Sequence, residues 1–140
     1  MVILPKPPSI NHIYGYTSRG GFARSFITKE GVNWFNDAIN ILANTYKKDH
    51  EPIEAQLKFS IHLFTARDQD IDNILKPILD LFGGMCLDCY GKFSSRKACK
   101  CGSKRSVIAN DKQVVLLEVS KTKIKQKESQ RVEIELEMIH

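Results

Sequence analysis

The change of hydrophobic period along the chain is the feature that most constrains its fold. Apolar and polar residues alternate over 55–63 and again over 132–138, as they do in strands with one buried face. From Thr28, a good N-cap residue, to about position 46, apolar residues instead recur at steps of three and four, which predicts a helix. The predicted buried stripe of this helix consists of Val32, Phe35, Ile39, Leu42 and Tyr46.

The remaining segments complete an α/β (or α+β) pattern. A short strand is predicted at 2–4, a glycine- and tyrosine-rich loop at 14–21, a second helix over about 73–82 and a buried strand at 114–119. Strands that interleave with two main helices predict one mixed sheet packed against those helices. Because 140 residues contain no linker or repeat, we expect a single domain over 1–140.

Three carboxylates occupy alternate positions, Asp68, Asp70 and Asp72. In extended backbone, residues two apart point the same way, so these side chains are placed to converge on one cation. The spacing also opens the pattern of a calcium-binding loop, which needs Gly at its sixth position and Glu at its twelfth. Asn73 and Leu79 occupy those positions, so a calcium loop is excluded. What remains is a magnesium site with room for water and phosphate oxygens.

Lys76 and Asp111 extend this acidic constellation, and each has a second interpretation. Lys76 lies at the start of the predicted second helix, where its ammonium can stabilise charge on a metal-bound phosphate. Alternatively, Lys76 pairs with Asp80 one turn on, and Asp72 or Asn73 merely caps the helix. Asp111 comes just before the predicted strand at 114–119, where active-site carboxylates and ordinary turn residues both occur. The spacing alone leaves these alternatives open.

The whole formal excess of positive charge lies in one segment. The net charge is +5, and residues 85–106 hold six basic side chains against one acid, which leaves 15 basic and 15 acidic residues elsewhere. A localised positive patch is the footprint of an anionic partner, most often nucleic acid, although a solvated lysine-rich loop has the same composition. The candidate DNA-binding residues are Lys92, Arg96, Lys97, Lys100, Lys104 and Arg105.

The same segment carries all four cysteines, spaced Cys86-x2-Cys89-x9-Cys99-x-Cys101. The N-terminus has no basic leader followed by an apolar stretch, and no apolar run is long enough to cross a membrane. We therefore expect a cytoplasmic, DNA-associated protein in which disulfides are disfavoured. Two short cysteine pairs are typical of facing zinc knuckles, which predicts a structural Zn²⁺ site in an inserted subdomain over 85–106. A redox-active set of thiols and an iron–sulfur cluster are the alternatives.

Four segments, taken in order along the chain, resemble the RusA family of Holliday-junction resolvases, which are crossover-junction endodeoxyribonucleases. The third segment followed by the fourth is the most specific part of the resemblance. The segments are Leu4-Pro5-x-Pro7-Pro8-Ser9-x-Asn11 with Tyr14; Ile27-Thr28-x-Glu30-Gly31 leading to Trp34; Asp70-Ile71-Asp72-Asn73-x-x-Lys76-Pro77-x-x-Asp80; and Asp111-x-Gln113-Val114.

The resemblance implies a RusA-like fold and a metal-dependent endonuclease that resolves four-way DNA junctions by paired symmetric nicks, in recombination and repair. It implies that Asp70, Asp72 and Asp111 hold catalytic Mg²⁺ or Mn²⁺, that Lys76 assists catalysis, and that the chain acts as a homodimer. A phage or mobile element would be a fitting source. Two other functions stay open: a non-catalytic, zinc-containing, structure-specific DNA-binding protein, and a nuclease for other branched DNA.

The chain departs from the family pattern in two places. Asn110 stands where the family usually has the first of two aspartates, so one negative charge is missing. The family joins its acidic helix to the last aspartate by a short connection, whereas this chain inserts the cysteine segment there. We expect the insertion to steady Asp111 and to widen the DNA-contacting surface.

Overall fold

A computed structural model describes residues 1–19, 22–94 and 96–139. The strands are β1 (Val2–Pro5), β2 (Tyr14–Arg19), β3 (Phe22–Ile27), β4 (Leu57–Thr65), β5 (Val114–Lys123) and β6 (Arg131–Met138). The helices are α1 (Ile10–Ile13), α2 (Lys29–Thr45) and α3 (Leu75–Gly84), with 3-10 turns at Ile71–Ile74, Asp111–Gln113 and Lys127–Ser129. Within these ranges no helix combines the length and the apolar character that crossing a bilayer requires.

The larger sheet is mixed and has the strand order β1-β6-β4-β5. Strand β4 pairs antiparallel with β6 and parallel with β5, from Leu57 opposite Val114 to Thr65 opposite Lys123. Parallel neighbours need a crossover connection, and α3 lies in that connection. The predicted α+β fold, a mixed sheet with two main helices, is therefore confirmed.

The core lies where the buried faces of β4, α2 and α3 meet. The predicted alternation is confirmed along β4, whose inward side chains are fully buried while their neighbours are half-buried. Phe82 of α3 packs edge-on against Phe59 of β4, with ring centroids 5.3 Å apart. The other buried residues of β4 are Leu57, Ile61, Leu63 and Thr65.

The long helix α2 begins as predicted, and Phe35, Ile39 and Leu42 of the predicted stripe are buried, but Val32 is not. Thr28 is its N-cap, and the Thr28 hydroxyl accepts a hydrogen bond from the Gly31 N–H at 3.1 Å. Val32 is 42% exposed whereas Trp34 is buried, so the prediction that Val32 belongs to the core is wrong. A Cβ at position 31 would lie 2.8 Å from the Ile13 carbonyl oxygen. The chain at α1 therefore approaches the helix closely on the glycine face, which turns Val32 outward.

The glycine- and tyrosine-rich segment is a β-hairpin rather than the predicted loop. Strands β2 and β3 pair antiparallel from Tyr14 opposite Ile27 to Arg19 opposite Phe22. The two glycines at 20 and 21, between these strands, lie outside the described residues. The hairpin strands contain glycine and polar residues without a clean alternation, so hydrophobic period gave no signal for them.

Strand β5 lies at the edge of the sheet, and the prediction that the run at 114–119 is buried is wrong. Val115, Leu116 and Leu117 are 47%, 54% and 41% exposed. An apolar run predicts cover on both faces of a strand, but these three consecutive residues point to alternate faces, so both faces of β5 are open here. The strand also has a neighbour on the β4 side alone in this sheet.

The cysteine segment 85–106 is fastened to the same core at both of its ends. The apolar side chains that flank and begin the segment are buried in the cluster that holds β4 and α3. The Ile108 N–H donates to the Phe82 carbonyl at 3.1 Å, which ties the returning chain to the end of α3. The buried anchors are Met85, Leu87, Val107 and Ile108.

Candidate metal centre and nucleic-acid interface

The first cysteine pair lies in a tight turn directly after α3. The Cys86 N–H donates to the Gly91 carbonyl, and the Tyr90 N–H donates to the Cys86 carbonyl, both at 2.9 Å. The chain reverses at Tyr90, whose φ of 60° is in the left-handed region. A Cβ at position 91 would lie 3.3 Å from the Cys89 sulfur, so the close approach of this backbone to the sulfur favours glycine.

The second cysteine pair turns back toward the first. The Gly102 N–H donates to the Cys99 carbonyl at 3.1 Å, and Gly102 has a φ of 75°, which glycine adopts without strain. The Cys101 sulfur lies 3.6 Å from the sulfur of Cys86 and 3.6 Å from that of Cys99. All four cysteines are free thiols.

The four sulfur atoms together have the spacing of one coordination sphere. All of them lie within 4.8 Å of one another, and among the described residues they form the one such group of three or more metal-ligating side chains. Thiolates bound tetrahedrally at about 2.3 Å from a metal lie about 3.8 Å apart. The four cysteines are therefore placed to hold a metal ion.

Cys86 lies in surroundings that favour its thiolate, the form that binds metal. Burial acts to raise the pKa of this thiol, but hydrogen bonds from the Ser103 hydroxyl and from backbone N–H groups outweigh it and lower the pKa to about 6. The Ser103 oxygen is 3.1 Å and the Asp88 nitrogen 3.4 Å from the sulfur. The donor set thus suits a cation with an affinity for sulfur.

Arg105 clamps the cysteine segment to the turn after α2. Its guanidinium donates to both carboxylate oxygens of Asp88 at 2.7–3.2 Å and to the carbonyls of Lys47 and His50 at 3.1 Å each. Hydrogen bonds from Arg105 hold the pKa of Asp88 below its ordinary value. Because 17% of its side chain is exposed and its donors are engaged within the chain, Arg105 has a structural role.

The other predicted DNA-binding side chains differ in how far they reach solvent. Arg96, Lys97 and Lys100 are exposed, and Lys104 is half-buried. The Lys92 ammonium lies over an aromatic ring of α2. Lys92 is exposed as well, so the accessible part of the basic patch consists of Lys92, Arg96, Lys97 and Lys100.

The acidic segment leads from the end of β4 into α3. Asp70 has an extended backbone, whereas Asp72 lies inside the 3-10 turn Ile71–Ile74. The alternation predicted for the three aspartates therefore stops at Asp70. Both side chains are exposed, and α3 begins after Ile74 without a side-chain cap, so Asp72 does not cap this helix.

Tyr14, at the start of hairpin strand β2, contacts helix α3. The Tyr14 hydroxyl donates to Asp80 Oδ2 at 2.6 Å. The Lys76 ammonium lies 3.6 Å from the same oxygen and 4.5 Å from the centroid of the Tyr14 ring. The predicted Lys76–Asp80 pair is confirmed, and with 54% of its side chain exposed Lys76 is also open to an anion. Burial and the bond to Asp80 raise the pKa of Tyr14, so the phenol remains protonated.

Asp111 lies at the other end of α3 from Asp70 and Asp72. Because β4 and β5 are parallel, a residue after the end of β4 and a residue before the start of β5 lie at opposite ends of the strand pair. A Cβ at Gly83 would be 3.3 Å from the Asp111 nitrogen, which places Asp111 beside the last turn of α3. From Asp72 to Gly83 the helix advances about 16 Å. The structure thus does not bring the three carboxylates together within one chain.

Asn110 and Gln113 fasten the turn that carries Asp111. The Asn110 side chain accepts the N–H two residues on at 2.9 Å, and its own N–H donates to Gln113 Oε1 at 2.6 Å. The Gln113 amide donates to the carbonyls of Ile53 and Ala55 at 2.6 and 2.8 Å. Asn110 therefore caps this turn, a role that an uncharged amide fills well.

An open groove of about 990 Å³ runs between α3, the cysteine segment and the Asp111 turn. Asp80 and Asp111 both line it, and so do Lys104 and Arg105. Asp80, which accepts from Tyr14 and pairs with Lys76, therefore lies on the same groove as the basic residues Lys104 and Arg105.

No protein-family model and no curated protein matches this chain. Sequence reasoning missed the hydrogen bond between Tyr14 and Asp80 and the internal clamp made by Arg105. Tyr14 and Asp80 are 66 positions apart in the sequence. The one sequence signal that links them is that both belong to the segments that resemble the RusA family. Nothing in the sequence distinguishes Arg105 from its basic neighbours.

Replacing Arg105 by methionine tests the clamp. We expect Arg105→Met to lower the free energy of unfolding by about 2 kcal/mol, because Asp88 and two carbonyls lose their donor. The pKa of Asp88 should rise toward its ordinary value in the variant. Since a lowered acid pKa stabilises the fold above the unfolded-state value and the benefit fades as pH falls, wild type should lose more stability on acidification than the variant.

Urea unfolding followed through Trp34, with a carboxyl NMR titration, measures both effects. The matched control is Lys97→Met, which removes an exposed charge from the same segment and should change stability by less than about 0.5 kcal/mol. Equal stability of the two variants would contradict the clamp.

Proposed function

We propose that this protein is a metal-dependent endodeoxyribonuclease that cuts four-way DNA junctions and holds a structural Zn²⁺ in segment 85–106. The observation that carries the proposal is the contact of Tyr14, Lys76 and Asp80, in which Lys76 follows Asp72 by four residues, about one helical turn. A partly exposed ammonium beside exposed carboxylates has the chemistry that phosphodiester hydrolysis uses.

Other residues of the RusA-like segments also have defined contacts. The Trp34 indole N–H donates to the Pro5 carbonyl at 2.9 Å, and the Thr28 hydroxyl donates to the Ile13 carbonyl at 3.1 Å. Gln113 anchors the start of β5 through two carbonyls. Positions that are distant in sequence and have such contacts support a shared architecture, because a chance match would not select them.

Asp70 and Asp72 would hold the catalytic Mg²⁺ or Mn²⁺. Two exposed carboxylates fit a cation that keeps several waters and binds phosphate oxygens. When bound, such an ion supplies an activated water. Lys76 would bind the phosphate from the α3 side, and the hydrogen-bonded Tyr14–Asp80 pair would orient its ammonium.

Asp111 is distant from the two proposed metal ligands. The RusA-like pattern assigns it to the metal, yet about 16 Å of helix lies between it and Asp72. Its participation requires either that the turn Asp111–Gln113 moves when DNA binds or that a second chain supplies the residue.

This separation favours a second candidate function, a non-catalytic, zinc-containing protein that binds branched DNA. Asn110 points the same way, since it caps a turn and brings no charge to a metal. Such a protein would keep the basic surface and the cysteine site without turnover. A nuclease for forks or other branched DNA remains the third candidate.

Zn²⁺ matches the cysteine site best. Four thiolates without a histidine or an open ligand position are typical of closed, structural zinc sites. Between Phe93 and Val107 the segment contains no large apolar residue, so a bound metal would supply free energy that a core cannot. With four thiolates and one Zn²⁺, the charge of the segment falls to about +3, which still attracts DNA.

A homodimer follows from the symmetry of the proposed substrate, since paired nicks need two active sites. Strand β5 offers a surface for it: a ten-residue edge strand with three consecutive exposed apolar side chains. Long apolar edge strands are covered in most native proteins. Antiparallel pairing of two copies of β5 about a two-fold axis would cover this one.

For the metal, we expect one Zn²⁺ per purified chain by mass spectrometry of metals. Cys89→Ser should lose the ion, because three thiolates bind zinc far more weakly than four. The matched control is Lys100→Ser, which changes a residue between two cysteines and should keep the ion. Bound iron with visible absorbance, or zinc retained in Cys89→Ser, would contradict the assignment.

For the reaction, we expect cleavage of a synthetic four-way junction in Mg²⁺ and a loss of at least about 100-fold in Asp72→Asn, because one metal ligand loses its charge. Junction affinity should stay within about three-fold of wild type. Asp68→Asn, a neighbouring exposed acid outside the proposed ligand pair, is the matched control.

The same assay decides the open alternatives. A loss in Asp111→Asn as large as that in Asp72→Asn would place Asp111 at the metal. Binding without cleavage of junction, fork or linear duplex would establish the non-catalytic candidate, and faster cleavage of forks would establish the third.

For the dimer, we expect light scattering to give twice the chain mass of 15.9 kDa. Leu116→Glu should return the single-chain mass, because a charge placed among the three exposed apolar side chains of β5 opposes their burial in an interface. Met138→Glu, at an apolar residue 53% exposed on β6, is the control and should remain dimeric. A wild-type protein of single-chain mass would rule the dimer out.

A further inference from the structure

Lys92 connects the cysteine segment to the candidate active site. This site consists of Asp70, Asp72, Lys76, Tyr14 and Asp80. It stands opposite Met85 in the bridge that closes the first cysteine turn. Its ammonium lies 4.3 Å from the centroid of the Phe35 ring and 5.8 Å from that of the Tyr14 ring. The Tyr14 ring is also in contact with the Lys76 ammonium. Two cations from different segments therefore share one aromatic side chain.

These two cations have one carboxylate between them. Asp80 accepts from Tyr14 and pairs with Lys76, and its charge also favours the charged form of Lys92. Desolvation, and then repulsion by Lys76, act the other way, with the result that the pKa of Lys92 is lowered. Both lysine residues are exposed. One carboxylate against two ammonium groups leaves a surplus of positive charge, which a phosphate oxygen would neutralise.

We propose that the metal-loaded cysteine segment supplies Lys92 to the candidate active site as a second phosphate-binding cation, beside Lys76 at the Tyr14 ring. The proposal rests on the proposed function, because the phosphate is that of the DNA strand to be cut. The cysteine segment would then take part in the reaction through Lys92, in addition to binding DNA through its other basic residues.

The position of Lys92 depends on the turn that holds the metal. The hydrogen bonds between Cys86 and both Gly91 and Tyr90 set the path of the chain into Lys92. The Tyr90 hydroxyl donates to Asn40 Oδ1 at 3.2 Å, which fixes the turn on α2, the helix that carries Phe35. The four cysteines would hold the metal, whose bonds to sulfur would add to the hydrogen bonds of this turn. Loss of the metal would then loosen the turn and displace Lys92.

The test compares Lys92→Met, Lys92→Arg and, as a matched control, Lys48→Met, which removes an exposed lysine just after α2. Cleavage of a four-way junction is measured under single turnover in Mg²⁺ with saturating protein. We expect Lys92→Met to be at least about ten-fold slower, Lys92→Arg to stay within about three-fold, and Lys48→Met to be unchanged. Rescue by arginine separates a charge effect from a packing effect.

Two further readouts keep the variants comparable. Zinc content should be one per chain in all three. The emission of Trp34, whose ring lies edge-on to Phe35 with centroids 5.1 Å apart, should report a native fold. If Lys92→Met does not fold, Lys92→Gln takes its place.

Dependence on the metal is tested by combining Lys92→Met with Cys89→Ser. If the cysteine site acts through Lys92, the double variant cleaves no more slowly than the slower single variant. Three results would each overturn the proposal. The first is a double variant whose rate loss is the product of the two single losses, and the second is a Lys92→Met variant that cleaves at the wild-type rate. The third is an equal rate loss in Lys92→Met and Lys92→Arg. A wild-type protein that cuts no substrate would overturn the proposed function itself, so the two failures are distinguishable.

Discussion

The parallel pairing of β4 with β5 is the constraint on which the positions of the candidate functional residues depend. Parallel strands require a crossover, and here α3 runs back along the sheet between them. The acidic segment therefore lies where the chain leaves β4, and Asp111 lies where it enters β5, about one helix length away. The cysteine segment occupies the return connection, so it begins at the end of α3 and leads toward Asp111.

The cysteine segment has to be held by something other than a core of its own. Its buried anchors lie at its two ends, and the middle is polar and basic. Arg105 satisfies Asp88 and two carbonyls after α2, while the four sulfur atoms converge at metal-binding distances. The segment is thus tied to the rest of the chain at its ends, while Arg96, Lys97 and Lys100 in its middle are exposed. Under the proposed function, these exposed cations would bind DNA and Lys92 would lie beside the site that cuts it.

Several features could be predicted from the sequence because they depend on local order. The alternation of β4, the cap at Thr28 and the pair of Lys76 with Asp80 each follow from residues a few positions apart. The cysteine cluster was predictable for a related reason: short spacings and turn-forming glycines leave few ways to arrange four sulfur atoms. Where a prediction failed, as for Val32 and the strand at 114–119, the missing information was which neighbour covers each face.

By itself, the sequence determined the types of the main elements, the segment that could hold a metal and the place of the positive charge. Periodicity, capping and spacing are properties of neighbouring residues and need no knowledge of the fold. Only the tertiary structure decided that Asp111 is separated from Asp70 and Asp72, that β5 is an exposed edge, and that Asp80, Lys76 and Lys92 all lie near Tyr14. Those outcomes depend on strand order, on the direction of a crossover and on the approach of a hairpin to a helix, which no local pattern encodes.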